Sequence, residues 1–412
     1  MDLTLSERHR ALQAALREFI ARYGHLSPPV GGGGGRKRPD RKVLDWQALL
    51  IEHGFAARAV PRQYGGYGAE PDVLDAAIIT EEFNKAGLSL GIQGQGIRML
   101  VPTLLEVGTE EQRRRWIGPT IRGEVIWAQG YSEPEAGSDL ASLRTHARVE
   151  DGHFVINGQK IWTSSAHFAD MIFLLCRTEP DRPKHLGISY LLVPMTAPGI
   201  EVRPLPTMTG HATFNEVFFT EVRVPVDQIV LGRGEGWKVA NVTLKHERML
   251  LGDSAKLVHR LHRLRSLLAE TVVEGEPLLQ KPVWRDRLMR LQGEVLAAKY
   301  HQMRLLSEAA QGQAQGQAQG RDSGLGLLVV KYYGSTLAWR LAALAVDALG
   351  DAGLPYEPHD EVAEDDAATA WYADWMYDLG LIIGGGSSNI QKNIIAERGL
   401  GMPREPKING SA

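Results

Sequence analysis

Apolar residues recur at helical spacing over residues 3–23, where Leu5, Leu12, Leu16, Phe19 and Ile20 share a face, and this predicts an amphipathic helix. Helical patterning resumes over 42–54 and covers much of 71–122. Two breaks interrupt it. Residues 27–41 hold Ser27-Pro-Pro-Val, an unbroken glycine run from Gly31 to Gly35 and the basic triplet Arg36-Lys-Arg. Consecutive glycines lose much chain entropy on ordering, so a mobile loop is expected there. Pro61-Arg-Gln-Tyr-Gly-Gly-Tyr-Gly predicts a second loop.

The period changes near Val125. Short apolar or alternating runs follow: Val125 to Ala128, Thr145 to Val149, His153 to Ile156, Lys160 to Thr163, Met171 to Cys176, Ile188 to Val193, Ile200 to Pro204 and Glu216 to Val222. Asp151-Gly152 and Asn157-Gly158 fall between consecutive runs, and Asx-Gly steps favour the tight turns of β-hairpins. From Gly236 the helical period returns and persists almost to the end, broken by the low-complexity stretch Gln311 to Gly320, which predicts a flexible inter-helix loop. The expectation is an α+β chain in three parts: helical over 1–124, an antiparallel β-domain over 125–233, and helical over 234–412.

Composition narrows the class. The chain has 412 residues, 43% of them apolar, and a formal net charge of −3. That supports a large core divided among domains and gives no electrostatic reason to expect a nucleic-acid partner. Cys176 is the single cysteine, so an intramolecular disulfide is excluded and a reducing, cytoplasmic setting is expected. No apolar run approaches the roughly 20 residues that span a bilayer. The first residues mix Asp, Glu, Arg and His without the apolar stretch of a signal peptide.

Three segments carry candidate chemistry: Tyr131-Ser-Glu-Pro-Glu-Ala-Gly-Ser-Asp-Leu; Asn157-Gly-Gln-Lys-Ile-Trp-Thr-Ser-Ser-Ala; and Ile383-Gly-Gly-Gly-Ser-Ser-Asn-Ile-Gln-Lys-Asn. Singly, each has a plain explanation: a polar capping loop, a core tryptophan, a helix-entry turn. Together, in this order and on this helix–sheet–helix pattern, they resemble the acyl-CoA dehydrogenase family over nearly the whole chain from residue 42. The resemblance implies a helical N-terminal domain, a middle β-domain and a C-terminal four-helix bundle binding FAD. It implies flavin contacts from Tyr131, Ser132, Trp162, Ser164, Ser387 and Asn389. It further implies that Ser138 and Arg248 hold the CoA end of an acyl-CoA, and that electrons leave to an electron-transfer flavoprotein.

Abstraction of an α-proton needs a carboxylate. In many family members it is a Glu of the last segment, whose place is taken here by Gly385, and residues 379–396 contain no carboxylate. The branch resembling isovaleryl- and long-chain acyl-CoA dehydrogenases carries the base on an earlier helix in a Leu-x-x-Glu-Arg context. Leu244-Lys-His-Glu247-Arg248 matches that context, after the turn-forming Gly232-Arg-Gly-Glu-Gly-Trp237. Glu247 is therefore the expected base, and the Gly385 N–H a donor to the thioester oxygen. A surface carboxylate paired with a neighbouring cation is the plain alternative for Glu247.

Two family features are missing. An Arg-x-x-Phe-Gly segment that reaches a neighbouring subunit's FAD is replaced by Ala269-Glu-Thr-Val-Val-Glu-Gly-Glu-Pro-Leu, and a Gln given across the interface by Asp347 before Leu349-Gly-Asp-Ala-Gly. These losses point to a tetramer, either a homotetramer with altered FAD contacts or a heterotetramer with a second dehydrogenase-like subunit. Mixed assemblies of that kind occur among bacterial family members that handle steroid-derived acyl-CoAs. A related flavin monooxygenase or oxidase, and a degenerate non-catalytic subunit, are the competing readings. Other motifs weaken: Gly232-x-Gly-x-Gly lacks the dinucleotide fingerprint's spacing, His259-x-x-His262 has no third metal ligand, and no G-x-S-x-G elbow is present. No metal is expected.

Overall fold

The computed structural model describes residues 5–30, 37–251, 254–314, 323–353 and 367–404. The chain divides into two compact units, Leu3–Glu247 and Arg248–Ala412.

The first unit opens with helices α1 (Glu7–Tyr23), α2 (Arg41–Glu52) and α3 (Val73–Lys85). Ser6, Asp40 and Asp72 stand at their N-caps, each side chain accepting from a first-turn N–H. Leu12, Leu16 and Phe19 of α1 meet Trp46, Leu50, Ile78, Ile79 and Phe83 in one core, while Leu5 and Ile20 pack at its edge. A π-helical turn at Gly96–Leu100 runs into α4 (Val101–Val107), and α5 (Glu110–Ile121) follows, entered through a Thr109–Gln112 capping box. The stretch between α3 and Gly96 is not helical, so the expected helical region breaks there.

Seven strands form the sheet: β1 (Trp127–Gly130), β2 (His146–Glu150), β3 (His153–Lys160), β4 (Met171–Arg177), β5 (Ile188–Pro194), β6 (Ile200–Leu205) and β7 (Phe214–Pro225). The order is β1-β4-β2-β3-β7-β6, with β5 also on β4. Most pairings are antiparallel, but β1 and the start of β2 pair parallel with β4. The β2–β3 hairpin lies between β1 and β4 in the chain, so β4 returns in the direction of β1 and the sheet is mixed.

Asp151-Gly152 makes the expected hairpin, with positive φ at both residues. Asn157-Gly158 does not. His153–Lys160 is one strand, and the Asn-Gly step sits at a bulge where the register against β7 shifts. Gly158 has φ +146°, and a Cβ there would meet the Thr145 Oγ at 2.5 Å. Asn157 uses its side chain across the sheet, donating to Glu221 Oε1 at 2.7 Å and accepting from the Glu221 N–H at 2.9 Å. Residues 161–163, expected as strand, form a turn instead.

Helix α6 (Gly236–Leu251) carries the chain to the second unit, which contains α7 (Ser254–Glu270), a hairpin of β8 (Val272–Val273) and β9 (Glu276–Pro277), α8 (Pro282–Ala314), α9 (Ser323–Leu349), α10 (Ala367–Ile383) and α11 (Ser388–Ile394). Leu264, Leu268, Val295, Leu341, Ala345 and Trp371 centre its core. The hairpin interrupts the helical run expected after Gly236, through a Glu274-Gly275 turn with both φ positive. Of the expected inter-helix loop, 311–314 belong to α8 and 315–320 lie outside the described residues, as do 31–36 of the expected glycine loop. No helix among the described residues is long and apolar enough to cross a membrane.

Candidate functional site

The Tyr131–Asp139 segment leaves the end of β1 and is fixed from below by a buried ion pair. Glu133, 7% exposed, accepts from Lys160 Nζ at 2.8 Å, from the Thr145 N–H at 2.9 Å and from the Arg144 N–H at 2.6 Å. Burial alone would push the Glu133 carboxyl up, but Lys160 and these donors hold it below the ordinary range. Lys160, wholly buried, also donates to the Tyr131 carbonyl at 3.0 Å, and burial lowers its own pKa. The Tyr131 ring is turned into the sheet against Phe173 and Tyr190. Ser132 stays half-buried and Ser138 is exposed.

The end of β3 is tied to this loop, since the Ile161 N–H donates to the Ser132 carbonyl at 2.9 Å. The chain then turns sharply. Trp162 and Ser165 have φ of +59° and +63°, a left-handed conformation that bulky residues adopt only when held. The hold is visible: the Thr163 N–H donates to the Asn215 carbonyl at 3.0 Å, and Asn215 Nδ2 to the Thr163 carbonyl at 2.9 Å. Trp162 is consequently not core. It is 55% exposed, its ring set edge-on to Phe214 at 5.9 Å, and Ser164 comes two residues later. Trp162 thus presents an exposed aromatic ring in a turn that also carries Ser164 and Ser165. Sequence reasoning missed Gln95, which donates to Gln129 Oε1 at 3.3 Å while its own buried Oε1 has no partner among the described residues. The only sequence hint was its place in the polar, glycine-rich run Gln93-Gly-Gln-Gly.

In the second unit α10 ends in the Gly384–Gly386 turn, with φ +65° at Gly385 and +92° at Gly386. Ser387 caps α11 by accepting from the Ile390 N–H at 3.3 Å, and Asn389 is exposed on its first turn. Gly385, Ser387 and Asn389 thus converge, and Lys331, which sequence reasoning passed over, underlies them through a 2.6 Å bond from Nζ to the Gly386 carbonyl.

Glu247 and Arg248 fall on α6; their side chains lie outside the described residues. What precedes them is well fixed. Gly236 touches β5 so closely that a Cβ would lie 2.4 Å from the Ser189 carbonyl carbon. Thr243, wholly buried, meets Thr103 of α4 at 3.1 Å, and His246 Nε2 lies 2.9 Å from Glu106. The helix that presents Glu247 is therefore anchored to both sheet and helix within its own unit.

Asp347, expected to stand where the family gives a Gln across an interface, is paired with Arg287. The segment expected to have lost its Arg and Phe is the β8–β9 hairpin, with Val272 and Val273 exposed. One group of His and carboxylate side chains converges among the described residues, His9 with Asp72 and Asp75. Arg8 and Arg58 already hold Asp75 at 3.0 and 2.7 Å, so the group is a salt-bridge network joining α1 to α3.

The chain matches the family models "Acyl-CoA dehydrogenase, N-terminal domain" over residues 6–124, "Acyl-CoA dehydrogenase, middle domain" over 128–222 and "Acyl-CoA dehydrogenase, C-terminal domain" over 234–400. It is 36% identical over 393 residues to acyl-CoA dehydrogenase IpdE1 of Mycobacterium tuberculosis, covering 95% of this chain and 94% of that protein. Among solved structures it is similar to the Tcur3481-Tcur3483 steroid ACAD, with a TM-score of 0.78 and 28% identity over 98% of this chain and 100% of the other. It is also similar to a chain of the ChsE4-ChsE5 complex from Mycobacterium tuberculosis, with a TM-score of 0.76 and 30% identity over 98% and 100%.

Proposed function

The chain belongs to the acyl-CoA dehydrogenase family, and on that premise we propose that it uses FAD to place an α,β double bond in an acyl-CoA thioester, with Glu247 as the base. The proposal keeps the three-domain division at 124/125 and 233/234. The observation that carries it is the Ser132–Ile161 clip beside the strained, exposed Trp162, with Ser164 two residues on. An aromatic face with hydroxyls at its edge suits an isoalloxazine ring, and the exposed Gly384–Asn389 turn, rich in N–H groups and hydroxyls, suits the remainder of FAD.

Bound FAD would supply the N5 position that takes the β-hydride. Glu247 removes the α-proton, which is too weakly acidic for a carboxylate in water. Two aids are required of the chain: desolvation that raises the base's pKa, and donors that stabilise the charge growing on the thioester oxygen. The Gly385 N–H is assigned the second task. Ser138 and Arg248 hold the CoA end, and an electron-transfer flavoprotein accepts the two electrons. Anaerobic bleaching of the flavin by a panel of acyl-CoAs tests this, with Glu247→Gln beside the wild type. A mutant that holds FAD and still bleaches at the wild-type rate removes Glu247 from the mechanism.

The companion of the chain is proposed to be a second dehydrogenase-like subunit, and the acyl group a bulky, steroid-derived one. Support comes from two similar solved structures whose names each join two proteins, one of them described as a steroid ACAD. Engagement of Asp347 by Arg287 and the exposed valines of the β8–β9 hairpin agree with this. Expression alone against co-expression decides it: a lone chain that holds one FAD per subunit and turns over sinks the mixed assembly.

A further inference from the structure

We propose that Lys331 is a positioning residue for the Gly384–Gly386 turn, fixing the peptide planes that aim the turn's N–H groups outward; the functional part of this inference rests on the reading of the turn given above. Lys331 lies on α9 between the buried Val330 and the half-buried Tyr332, and is itself 0% exposed. An ammonium in such a place is costly unless it is well paired, so a helix core that retains one needs a partner for it.

Its Nζ donates to the Gly386 carbonyl at 2.6 Å, a short, charge-assisted bond. Gln391, 1% exposed, stands against the same turn, with Nε2 at 3.4 Å from both the Gly385 and Gly386 carbonyl oxygens. In a trans peptide the C=O and the following N–H point in opposite directions. Drawing the carbonyls of Gly385 and Gly386 toward Lys331 and Gln391 therefore turns the N–H groups of Gly386 and Ser387 the other way. Both glycines have positive φ, and a Cβ on Gly386 would lie 2.4 Å from Gln391 Nε2. The outer side of the turn is open: Gly386 is exposed. Lys331 thus acts on a ligand only through the backbone it holds.

Lys331→Met keeps the length and removes the charge; Lys331→Arg keeps a cationic donor; Gln391→Leu loosens the turn from the other contact. Three measurements on the full chain, with any companion subunit present, separate positioning from simple packing. These are amide hydrogen exchange without ligand, FAD affinity from titration of the apoprotein, and the thermal midpoint. In Lys331→Met, the hydrogen-bonded amides that flank the turn, those of Gly384, Ile390 and Gln391, should exchange about tenfold faster or more while those of α7 and α8 keep their rates. FAD should bind about fivefold or more weakly, with Lys331→Arg in between. Gln391→Leu should speed the same amides if Lys331→Met proves too unstable to purify. Unchanged exchange at Gly384, Ile390 and Gln391 in Lys331→Met, or in Gln391→Leu where the lysine variant cannot be purified, overturns the proposal, and so does faster exchange spread evenly through the bundle. The exchange comparison needs neither cofactor nor substrate. Failure of the dehydrogenase reading would show separately, as a wild type that holds no FAD and bleaches with no acyl-CoA.

Discussion

Lys160 Nζ lies 2.8 Å from Glu133 Oε1, with the lysine wholly buried and the glutamate nearly so. The pair stands where three backbone segments meet: the Tyr131–Glu133 loop, the approach to β2 at Arg144–Thr145, and the end of β3. Two charges in an apolar interior gain little net stability by themselves, because desolvation offsets their attraction. Their geometry explains their presence better than their energy does. Both carboxylate oxygens of Glu133 are used to register those segments against one another.

Lys160→Met should consequently do more harm than its volume change suggests. It leaves Glu133 buried and uncompensated, at an expected cost of about 3–5 kcal/mol in urea unfolding. Adding Glu133→Gln removes the stranded charge and keeps one acceptor oxygen for one of the two backbone N–H groups, so the double variant should recover part of the loss. A Lys160→Met protein as stable as the wild type would show the pair to be dispensable.

Trp162 leads to the opposite expectation. Its ring is exposed and its backbone strained, so Trp162→Ala should change the apoprotein's stability by less than about 1 kcal/mol. Trp162→Gly should be at least as stable as Trp162→Ala, since glycine adopts φ +59° without penalty. FAD affinity should nevertheless fall about tenfold or more in either, because a large aromatic contact is lost. Titration of the apoprotein by flavin fluorescence checks this. Equal affinity in wild type and Trp162→Ala would mean that the ring covers something else.

The order helix, sheet, helix was legible because the hydrophobic period switches from 3.6 to 2 near Val125 and back at Gly236, and each period follows from backbone geometry alone. Pairing was less legible. Asn157-Gly158 carries the residue types of a hairpin turn, yet its neighbours on both sides belong to one strand paired with β7, and tertiary pairing decided for a bulge. The parallel match of β1 with β4 is set by where the chain returns, which no local pattern encodes. In the site, the conspicuous segments were visible from composition. Their supports were not: no local pattern marks Lys160, Lys331 or Gln391 as buried, and the fold buries all three. Trp162 runs the other way: its plain alternative as a core tryptophan fails, because the positive φ holds it outward.

Gly236 offers a test of how far placement of Glu247 depends on the start of α6. A Cβ there would lie 2.4 Å from the Ser189 carbonyl carbon, 2.6 Å from its Cα and 2.7 Å from the Tyr190 nitrogen. All three are backbone atoms of β5, paired along its length with β4, and none can swing aside. Gly236→Ala should therefore lower stability by about 1–3 kcal/mol and displace the helix. With Glu247 as the base, flavin bleaching in Gly236→Ala should slow while FAD content stays at the wild-type level. Unaltered bleaching would mean that the anchor on α4, through Thr243 and His246, suffices.

Asp378 on α10 gives a pH dependence whose sign can be worked out. It is 1% exposed, bonded to Arg260 of α7, which also donates to the Ala338 carbonyl at 3.2 Å, with Asp374 on the other side of the guanidinium at 3.3 Å. Burial pushes its carboxyl up to about 6; Arg260 opposes the rise and Asp374 adds to it. The unfolded value is about 3.9, so between the two the native state binds more protons than the unfolded chain. Stability from this group is then fullest below about pH 4, falls as pH rises toward 6, and is level above. A shift of about two units corresponds to about 3 kcal/mol. Asp378→Asn cannot titrate, so the stability of wild type minus that of the variant should fall by about this amount from pH 4 to pH 7, whatever its starting sign. Urea midpoints at several pH values in that range read it directly, and taking the difference cancels the titration of distant carboxylates common to both proteins. A difference that grows with pH would show Arg260 outweighing burial, with Asp378 charged throughout.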